Sequence, residues 1–578
     1  MSVRPIQFFE ELVGSALKEA LDVEAPALVT KAQDPKFGDY QSNAAMPLGK
    51  KLGKAPREIA EKVAAVLRTK DALSTVEVAG PGFLNLTMSP SFVGAHLAAA
   101  LGDERDGVPK AQKKQTIVVD YSSPNIAKQM HVGHLRSTII GHALCELFRF
   151  IGHDVIGDNH VGDWGTQYGL LIAGLRRSKL DGASLSIVDL ERIYKEATAL
   201  SESDPAFADE ARRELAKLQA GDKENHALWE TFVAVTRVEL DKVYARLGVH
   251  FDQWLGESTY DPMLPGVVER LLGEKIARID NGAVCIFFKE WADAPKELAK
   301  QEQPFIVRKS DGAFLYATTD IATAIYRQDH FHADRSVYVI DSRQSLHMKQ
   351  LMAVATKLGI PTKLEHVGFG MVLGNDGKPL RTRDASGAVL TLSALLDEAE
   401  ERARNVIVEQ GLDVPESELA NVARAVGLGA VKYADLRQNR ASDYQFDWDK
   451  LIEFKGNAGP YLQYAAARIG AIFRKGEIDP SKLRVSSLSL TEKEEFSLAR
   501  ELLRFPDVVH TAAETSMPHV LTDHLYAVAR EFSSFYEACP VLKAEGAVRE
   551  SRLALSALSL RQLKRGLGLL GIETVERM

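Results

Sequence analysis

The sequence predicts an α/β multidomain protein: a parallel-sheet domain at its centre, an α+β module before it and an α-helical bundle after it. Three observations carry this. The chain has 578 residues, several times the usual domain size, so two to four separate cores are expected. A β-branched run, "TIVVDYS", precedes a stretch of helical apolar spacing and a second strand-like piece, "HDVIGDNHVGDWG". That βαβ order argues for a parallel sheet with ligands at the C-terminal ends of its strands. From Leu392 onward the chain is rich in Leu, Ala, Glu and Arg and has few strand signals. The expected boundaries are 1–110, 111–391 and 392–578.

Taken in order, amphipathic helices are predicted over Ile6 to Leu21 and Pro56 to Leu67. An alternating strand, "VEVAGPGFLNLTM", follows with a Gly-Pro-Gly interruption. The run "GDERDGVPKAQKKQ" has turn formers and no apolar period, so it reads as a linker. After the first central strand, Leu135, Ile139, Leu144, Leu147 and Phe148 fall near helical spacing. Residues near 175–230 are charged and helical, as in an insertion. Alternation resumes in "GAVCIFF", "PFIVRKSDGAFLYATTD", "SVYVID" and "LEHVGFGMVLG" before the helical bundle begins.

Composition narrows the classes. Only three cysteines occur, in no CxxC pair, which excludes a disulfide framework or cysteine-rich zinc site and fits a reducing compartment. No stretch approaches ~20 apolar residues, so no membrane span is expected. The N-terminus lacks a signal-peptide pattern. A cytoplasmic location is expected. The net charge of −8 speaks against a wholesale polyanion binder, although charge acts locally. From Asn421 to Lys475 there are nine Lys/Arg against five Asp/Glu, a basic stretch that is either a partner surface or an ordinary solvated one.

The most informative segment is "DYSSPNIAKQMHVGHLRST", Asp120 to Thr138. A strand enters it and a helix leaves it. A helix N-terminus offers unpaired N–H groups and partial positive charge to phosphate. Gly133 has no side chain, so a ring or phosphate can approach its backbone. His131 and His134 can donate to phosphate oxygens, and Lys128 adds a mobile charge. The combination describes a nucleoside triphosphate site in which no side chain need act as nucleophile. His-x-x-His also suits zinc, but zinc needs a third ligand and none is obvious nearby.

The segment resembles the HIGH-type motif of class I aminoacyl-tRNA synthetases, and its wording is similar to that of the arginyl-tRNA synthetases. "NHVGDWGTQYG", "LYATTDIATA", "YVIDSRQSLH", "NAGPYLQYAAARI" and the terminal "LGIETVERM" fit the same family. The resemblance spans essentially the whole chain. It implies a Rossmann-type catalytic domain, an N-terminal tRNA-binding module and a C-terminal stem-contact and anticodon-binding domain. It implies a ligase that joins L-arginine to tRNA(Arg) through arginyl-adenylate, with ATP accompanied by Mg²⁺, no tightly held protein metal, no membrane partner and a monomeric state. It also implies that tRNA must bind before the adenylate forms.

Recognition of a guanidinium calls for acceptors matching its planar fork. Asp120 ends the first central strand, and Asp320 lies four residues after Tyr316, on one face if that piece is helical. The resemblance implies that arginine is held by Asp120, Ser122, Asn125, His131, Tyr316, Asp320 and Gln344. It implies an ATP site of His131, Gly133, His134, Met371, Val372, Lys378 and Arg383. Lys128, His131, His134 and Arg383 are the implied catalytic groups. The polar loop "GNDGKPLRTRDASG" takes the place of the family's KMSK loop, but Leu380, Arg381, Thr382 and Arg383 depart from that pattern at most positions. In arginyl enzymes with such a loop, the family relies on the lysine upstream of the histidines, here Lys128.

For tRNA, Tyr461, Gln463, Tyr464 and Arg468 have spacings compatible with one helical face, suited to stacking and edge recognition of unpaired bases. Plain packing is the alternative for each tyrosine. Phe83 and Asn85 stand two apart on one strand, and the resemblance implies that their module reads the D-loop corner. Three other readings remain open at this level: a synthetase for another amino acid, a small nucleotidylyltransferase using HxGH, and a non-catalytic tRNA-binding relative. The missing zinc cysteines weigh against a cysteinyl enzyme, the long helical C-terminal part against a nucleotidylyltransferase, and the intact His131, His134 and Lys128 against a non-catalytic relative.

Overall fold

The computed structural model describes residues 4–178, 180, 185–374, 376–378 and 391–578. The chain forms two compact units, one of Met1–Ala111, Ile407–Val426 and Glu453–Met578, the other of Gln112–Val406 and Gly427–Ile452.

In the first unit, β1 (Val29–Lys31), β2 (Tyr40–Ser42), β3 (Leu73–Ala79) and β4 (Phe83–Met88) form an antiparallel sheet in the order β1-β2-β4-β3. The single interrupted strand expected over "VEVAGPGFLNLTM" is therefore a hairpin. Gly80 and Gly82 turn it at φ of 53° and 143°, a backbone region that glycine enters without a Cβ penalty. Helices Pro5–Leu21 and Pro56–Leu67 each begin with proline, whose fixed φ suits a first helical turn. They bury Phe9, Val13 and Leu17, and Ile59, Val63 and Leu67. The rest of this unit is helical and includes Gly459–Gly476, Lys493–Leu503, Phe505–Thr515, His519–Ala538 and Gly546–Leu569.

The second unit is built on β5 (Thr116–Asp120), β6 (Asp154–Asp158), β10 (Arg335–Tyr338) and β11 (Lys363–His366). They form a wholly parallel sheet in the order β11-β10-β5-β6, a Rossmann-type arrangement. Ile117, Val118 and Val119 are all fully buried, which explains why β5 reads as a continuous apolar run: both faces of a parallel sheet are covered. From β5 the chain crosses through helix Leu135–Phe150 to β6 on one side, while β10 pairs on the other. The strand order thus switches direction at β5, and a ligand crevice is expected beyond the C-termini of β5 and β10. Gly141 lets the crossover helix approach closely, because a Cβ there would lie 2.2 Å from Tyr121 Cβ.

Between β6 and β10 lie two insertions. The helical one comprises Ile187–Ser203, Pro205–Gln219 and Lys223–Leu247, running further than the 230 read from charge alone. The other is the antiparallel sheet of β7 (Arg278–Asp280), β8 (Ala283–Ile286) and β9 (Phe305–Arg308). Finally β12 (Val372–Leu373) pairs with β13 (Tyr444–Gln445) in parallel. The stretch Asn421–Lys475 consequently divides between the two units.

Candidate active site

The loop leaving β5 is conformationally strained. Ser122, Ser123 and Ala127 have φ of 71°, 48° and 62°, values that non-glycine residues hold only when their surroundings over-determine them. Those surroundings are visible. Ser122 N donates to Ser137 Oγ at 2.9 Å, and Ala127 N donates to Thr236 Oγ1 at 3.0 Å. Ser122 Oγ lies 2.7 Å from the Tyr244 hydroxyl and accepts from Thr138 Oγ1 at 2.8 Å. The Ser122 hydroxyl is thus spent inside the fold, so its implied contact with arginine is corrected to a structural one. Asn125 stays exposed and bridges to Gly162, where a Cβ would lie 2.2 Å from Asn125 Oδ1.

Val132–His134 make a short 3₁₀ turn that leads into helix Leu135–Phe150. Gly133 N donates to His131 Nδ1 at 3.0 Å, and His131 N donates to His134 Nδ1 at 3.2 Å. A ring nitrogen that accepts from an N–H carries no proton, so in both neutral rings the proton sits on Nε2. Each histidine is therefore a fixed N–H donor. The rings lie 4.0 Å apart. Burial foremost, then the Lys128 charge, lowers the His131 pKa. Burial, with His131 and Lys128 adding to it, pushes His134 down to about 3. Gly133 has a second reason here: a Cβ would sit 2.8 Å from His131 Cε1, displacing the ring. Lys128 is exposed, with Nζ 4.8 Å from the Tyr194 ring of the helical insertion.

The His134 shift fixes a sign. The folded chain binds fewer protons than the unfolded one between pH ~6.5 and about 3, so stability falls as pH drops through that window. The thermal midpoint is expected to decline from pH 7 to pH 5, and to decline less in His134→Asn.

The carboxylates are more engaged than the sequence implied. Arg327, fully buried on helix Tyr316–Phe331, donates from Nη2 to Asp120 Oδ2 at 2.7 Å and to Asp158 Oδ2 at 2.8 Å. Ser123 Oγ donates to Asp120 Oδ1 at 3.0 Å. Asp120 is therefore not an open counter-ion but one arm of a buried triad whose net charge, with both carboxylates ionised, is minus one. Burial raises the Asp158 pKa against the pull of Arg327. Asp320 follows Tyr316 on one helical face, as predicted, and its Oδ2 lies 2.5 Å from His347 Nε2. Tyr316 is 65% exposed, its ring 5.0 Å from that of His347. Gln344 is exposed in the turn Ser342–Gln344 after β10, and the neighbouring Arg343 is held by Asp341 at 2.7 and 3.0 Å. Arg327, Asp158 and His347 were not anticipated. Arg327 stands seven residues after Asp320 and His347 three after Gln344, spacings that a helical reading could have used.

Of the residues implied for ATP, Met371 N donates to Asp443 Oδ1 at 2.6 Å, and Val372 begins β12. Arg136, from the signature itself, is another residue the sequence reading missed. It is buried between Phe369 and Tyr444, binds Asp435 at 3.0 Å and donates to the Gly370 carbonyl at 2.6 Å. It ties helix Leu135–Phe150 to the segment that leads through Met371 into β12. Lys378 is exposed. Leu380, Arg381, Thr382 and Arg383 lie outside the described residues.

In the first unit, Tyr461, Tyr464 and Arg468 lie on the outer side of helix Gly459–Gly476, but Gln463 does not. Gln463 is fully buried and donates to the carbonyls of Ala425 (2.9 Å) and Glu573 (2.7 Å). Its implied tRNA contact is corrected to a packing role. Two further aromatics join this face: Tyr526, 5.9 Å from Tyr461, and Tyr536, over which the Arg468 guanidinium sits at 5.2 Å. Phe83 is half-buried, while Asn85 is buried and accepts from Gln41 Nε2 at 2.7 Å, which limits it as a base-reading group.

Residues 96–448 match the family model described as tRNA synthetases class I (R), catalytic domain, residues 462–578 the DALR anticodon binding domain, and residues 7–88 the arginyl tRNA synthetase N terminal domain. The arginine–tRNA ligases of Citrobacter koseri and Escherichia coli are 47% identical over 559 residues, 95% of each chain. The arginyl-tRNA synthetase structure from Plasmodium falciparum aligns over 99% of both chains with a TM-score of 0.83 at 28% identity. That from Thermus thermophilus covers 99% of this chain and all of its own, with a TM-score of 0.82 at 26% identity.

Proposed function

The chain belongs to the class I arginyl-tRNA synthetases, and from that premise we infer how its residues divide the reaction. It is an ATP-dependent arginine–tRNA ligase. The arginine carboxylate attacks the α-phosphorus of ATP, the bond to the bridging oxygen breaks and pyrophosphate leaves. A terminal ribose hydroxyl of the tRNA then attacks the activated carbonyl carbon, releasing AMP.

In our reading, the Nε2–H groups of His131 and His134 donate to phosphate oxygens as charge shifts toward the leaving pyrophosphate, and Lys128 neutralises that charge. Such in-line transfer demands positioning and electrostatics more than covalent help. The observation that carries this reading is the tautomer lock: two backbone N–H groups occupy Nδ1 of both rings. Gly133, Met371 and Val372 line the nucleotide side, with Lys378 and Arg383 assigned to the phosphates. The guanidinium of arginine is read by Asp320, oriented by His347, beside the negative triad of Asp120, Arg327 and Asp158. Asn125, Tyr316 and Gln344 complete that pocket.

Mg²⁺ is assigned to the triphosphate, because it favours oxygen ligands and keeps much of its water. The cluster with metal-ligand spacing among the described residues, His142, Glu146 and His250, is nitrogen-rich and does not suit it. We assign tRNA(Arg) contacts to Tyr461, Tyr464 and Arg468, with Tyr526 and Tyr536, and to Phe83. A monomeric, cytoplasmic enzyme is proposed. It fits three buried free cysteines and, among the described residues, no helix long and apolar enough to cross a membrane.

Pyrophosphate exchange tests the assignment. Exchange is expected with arginine alone among the amino acids, and only when tRNA(Arg) is present. In Asp320→Asn, the KM for arginine should rise ~100-fold with a much smaller change in kcat, as for a contact that binds ground and transition states alike. Exchange with another amino acid, or an unchanged KM, contradicts the pocket.

A further inference from the structure

We propose that His142, Glu146 and His250 form a Zn²⁺ site that ties the signature helix to the loop following helix Lys223–Leu247. His142 and Glu146 are four apart on helix Leu135–Phe150, so both project from one face. His250 comes from the chain that leaves Leu247 and Gly248. One ligand atom from each of the three lies within 4.8 Å of the other two. The His142 and His250 rings are 5.4 Å apart and nearly perpendicular, at 76°. His142 is 5% exposed, and its Nε2 is buried without a hydrogen-bond partner among the described residues. A buried polar atom left unpaired costs free energy and calls for an explanation such as an ion.

Two imidazoles and one carboxylate, with a fourth position for water, suit zinc and not the oxygen-seeking Mg²⁺ or Ca²⁺. With bonds of ~2.0–2.2 Å, tetrahedral ligand atoms lie roughly 3.5 Å apart, so rotation of the outer side chains closes the site. Neighbouring cations are already held. Lys432 Nζ donates to the Leu247 carbonyl. Arg149 donates to Glu146 at 2.8 Å but also to Asp252 at 2.5 Å, which retains it if Glu146 turns to the ion. The His250 backbone is fixed in turn, since its carbonyl accepts from the Tyr121 hydroxyl at 2.9 Å. His250 is exposed and Glu146 partly so, leaving an entry path.

The test uses the full chain after dialysis against a chelator. Zn²⁺ is titrated by calorimetry, and Co²⁺ reports coordination through its visible absorption. Wild type is expected to bind one ion per chain with the intense bands of four-coordinate cobalt, and its melting temperature should rise by several degrees with saturating Zn²⁺. In His250→Gln and Glu146→Gln, both at accessible positions, affinity should fall ~100-fold or more and the thermal shift should vanish. Metal-free melting and arginine exchange should stay at the wild-type level. Equal zinc affinity in the variants, or cobalt spectra showing only six-coordinate aquo-type bands, would overturn the site.

Discussion

Arg327→Met is expected to lose most of its activity and several kcal/mol of stability together. The guanidinium is fully buried and bridges Asp120 and Asp158 at 2.7 and 2.8 Å. Removing it leaves two carboxylates facing each other in the interior, and breaking a buried pair in this way costs ~3–5 kcal/mol. The unpaired carboxyls would then have pKa values above their unfolded ones. The stability lost relative to wild type should therefore be smallest at low pH and grow as pH rises, a trend specific to this triad. Arg327→Lys keeps the charge but cannot span two carboxylates with a planar fork, so it should recover stability only in part. Thermal melts from pH 5 to 8, with arginine exchange alongside, measure both effects. A methionine variant as stable as wild type at pH 8 would show that the triad does not hold the pocket floor.

His134→Ala is expected to slow arginine activation by ~10²–10³, the range for loss of one preorganised donor to a developing charge. Its arginine KM should barely move, because the contact strengthens only in the transition state. Lys128→Ala should act on the same step. Since His134 is held neutral down to about pH 3, neither wild type nor Lys128→Ala should show a break in the activation rate near pH 6.5 that traces to this ring. A rate that rises as pH drops through 6.5, and that loses this dependence in His134→Asn, would mean the ring works as a charged group.

The sequence exposed those parts of the candidate site that are contiguous. Lys128, His131, Gly133 and His134 lie in one segment between a strand and a helix, so motif and secondary structure spoke together. Asp320 and Tyr316 were readable through helical spacing. What stayed hidden depends on distant residues. Arg327 reaches Asp120 across 207 positions, and no local pattern announces that the first aspartate is already partnered. Ser122 looked like a ligand until the Tyr244 hydroxyl, on an inserted helix, was seen to occupy it. Gln463 shared a plausible helix with Tyr461 and Tyr464, but only packing against Ala425 and Glu573 decides which way it points. The fold shows the same division. β5 announced itself through four β-branched residues, whereas the return of residues 427–452 to the catalytic unit follows from long-range contacts such as Arg136 with Asp435.

The central claim is that one crevice, beyond the C-termini of β5 and β10, holds the cation and the triphosphate side by side. A crystal structure with L-arginine, a non-hydrolysable ATP analogue and tRNA(Arg) tests it most directly. The guanidinium should lie against Asp320 beside the Asp120–Arg327–Asp158 triad, with phosphate oxygens within hydrogen-bond reach of Nε2 of His131 and His134. Either molecule bound away from these groups, or histidines that meet the phosphates through Nδ1, would contradict the account.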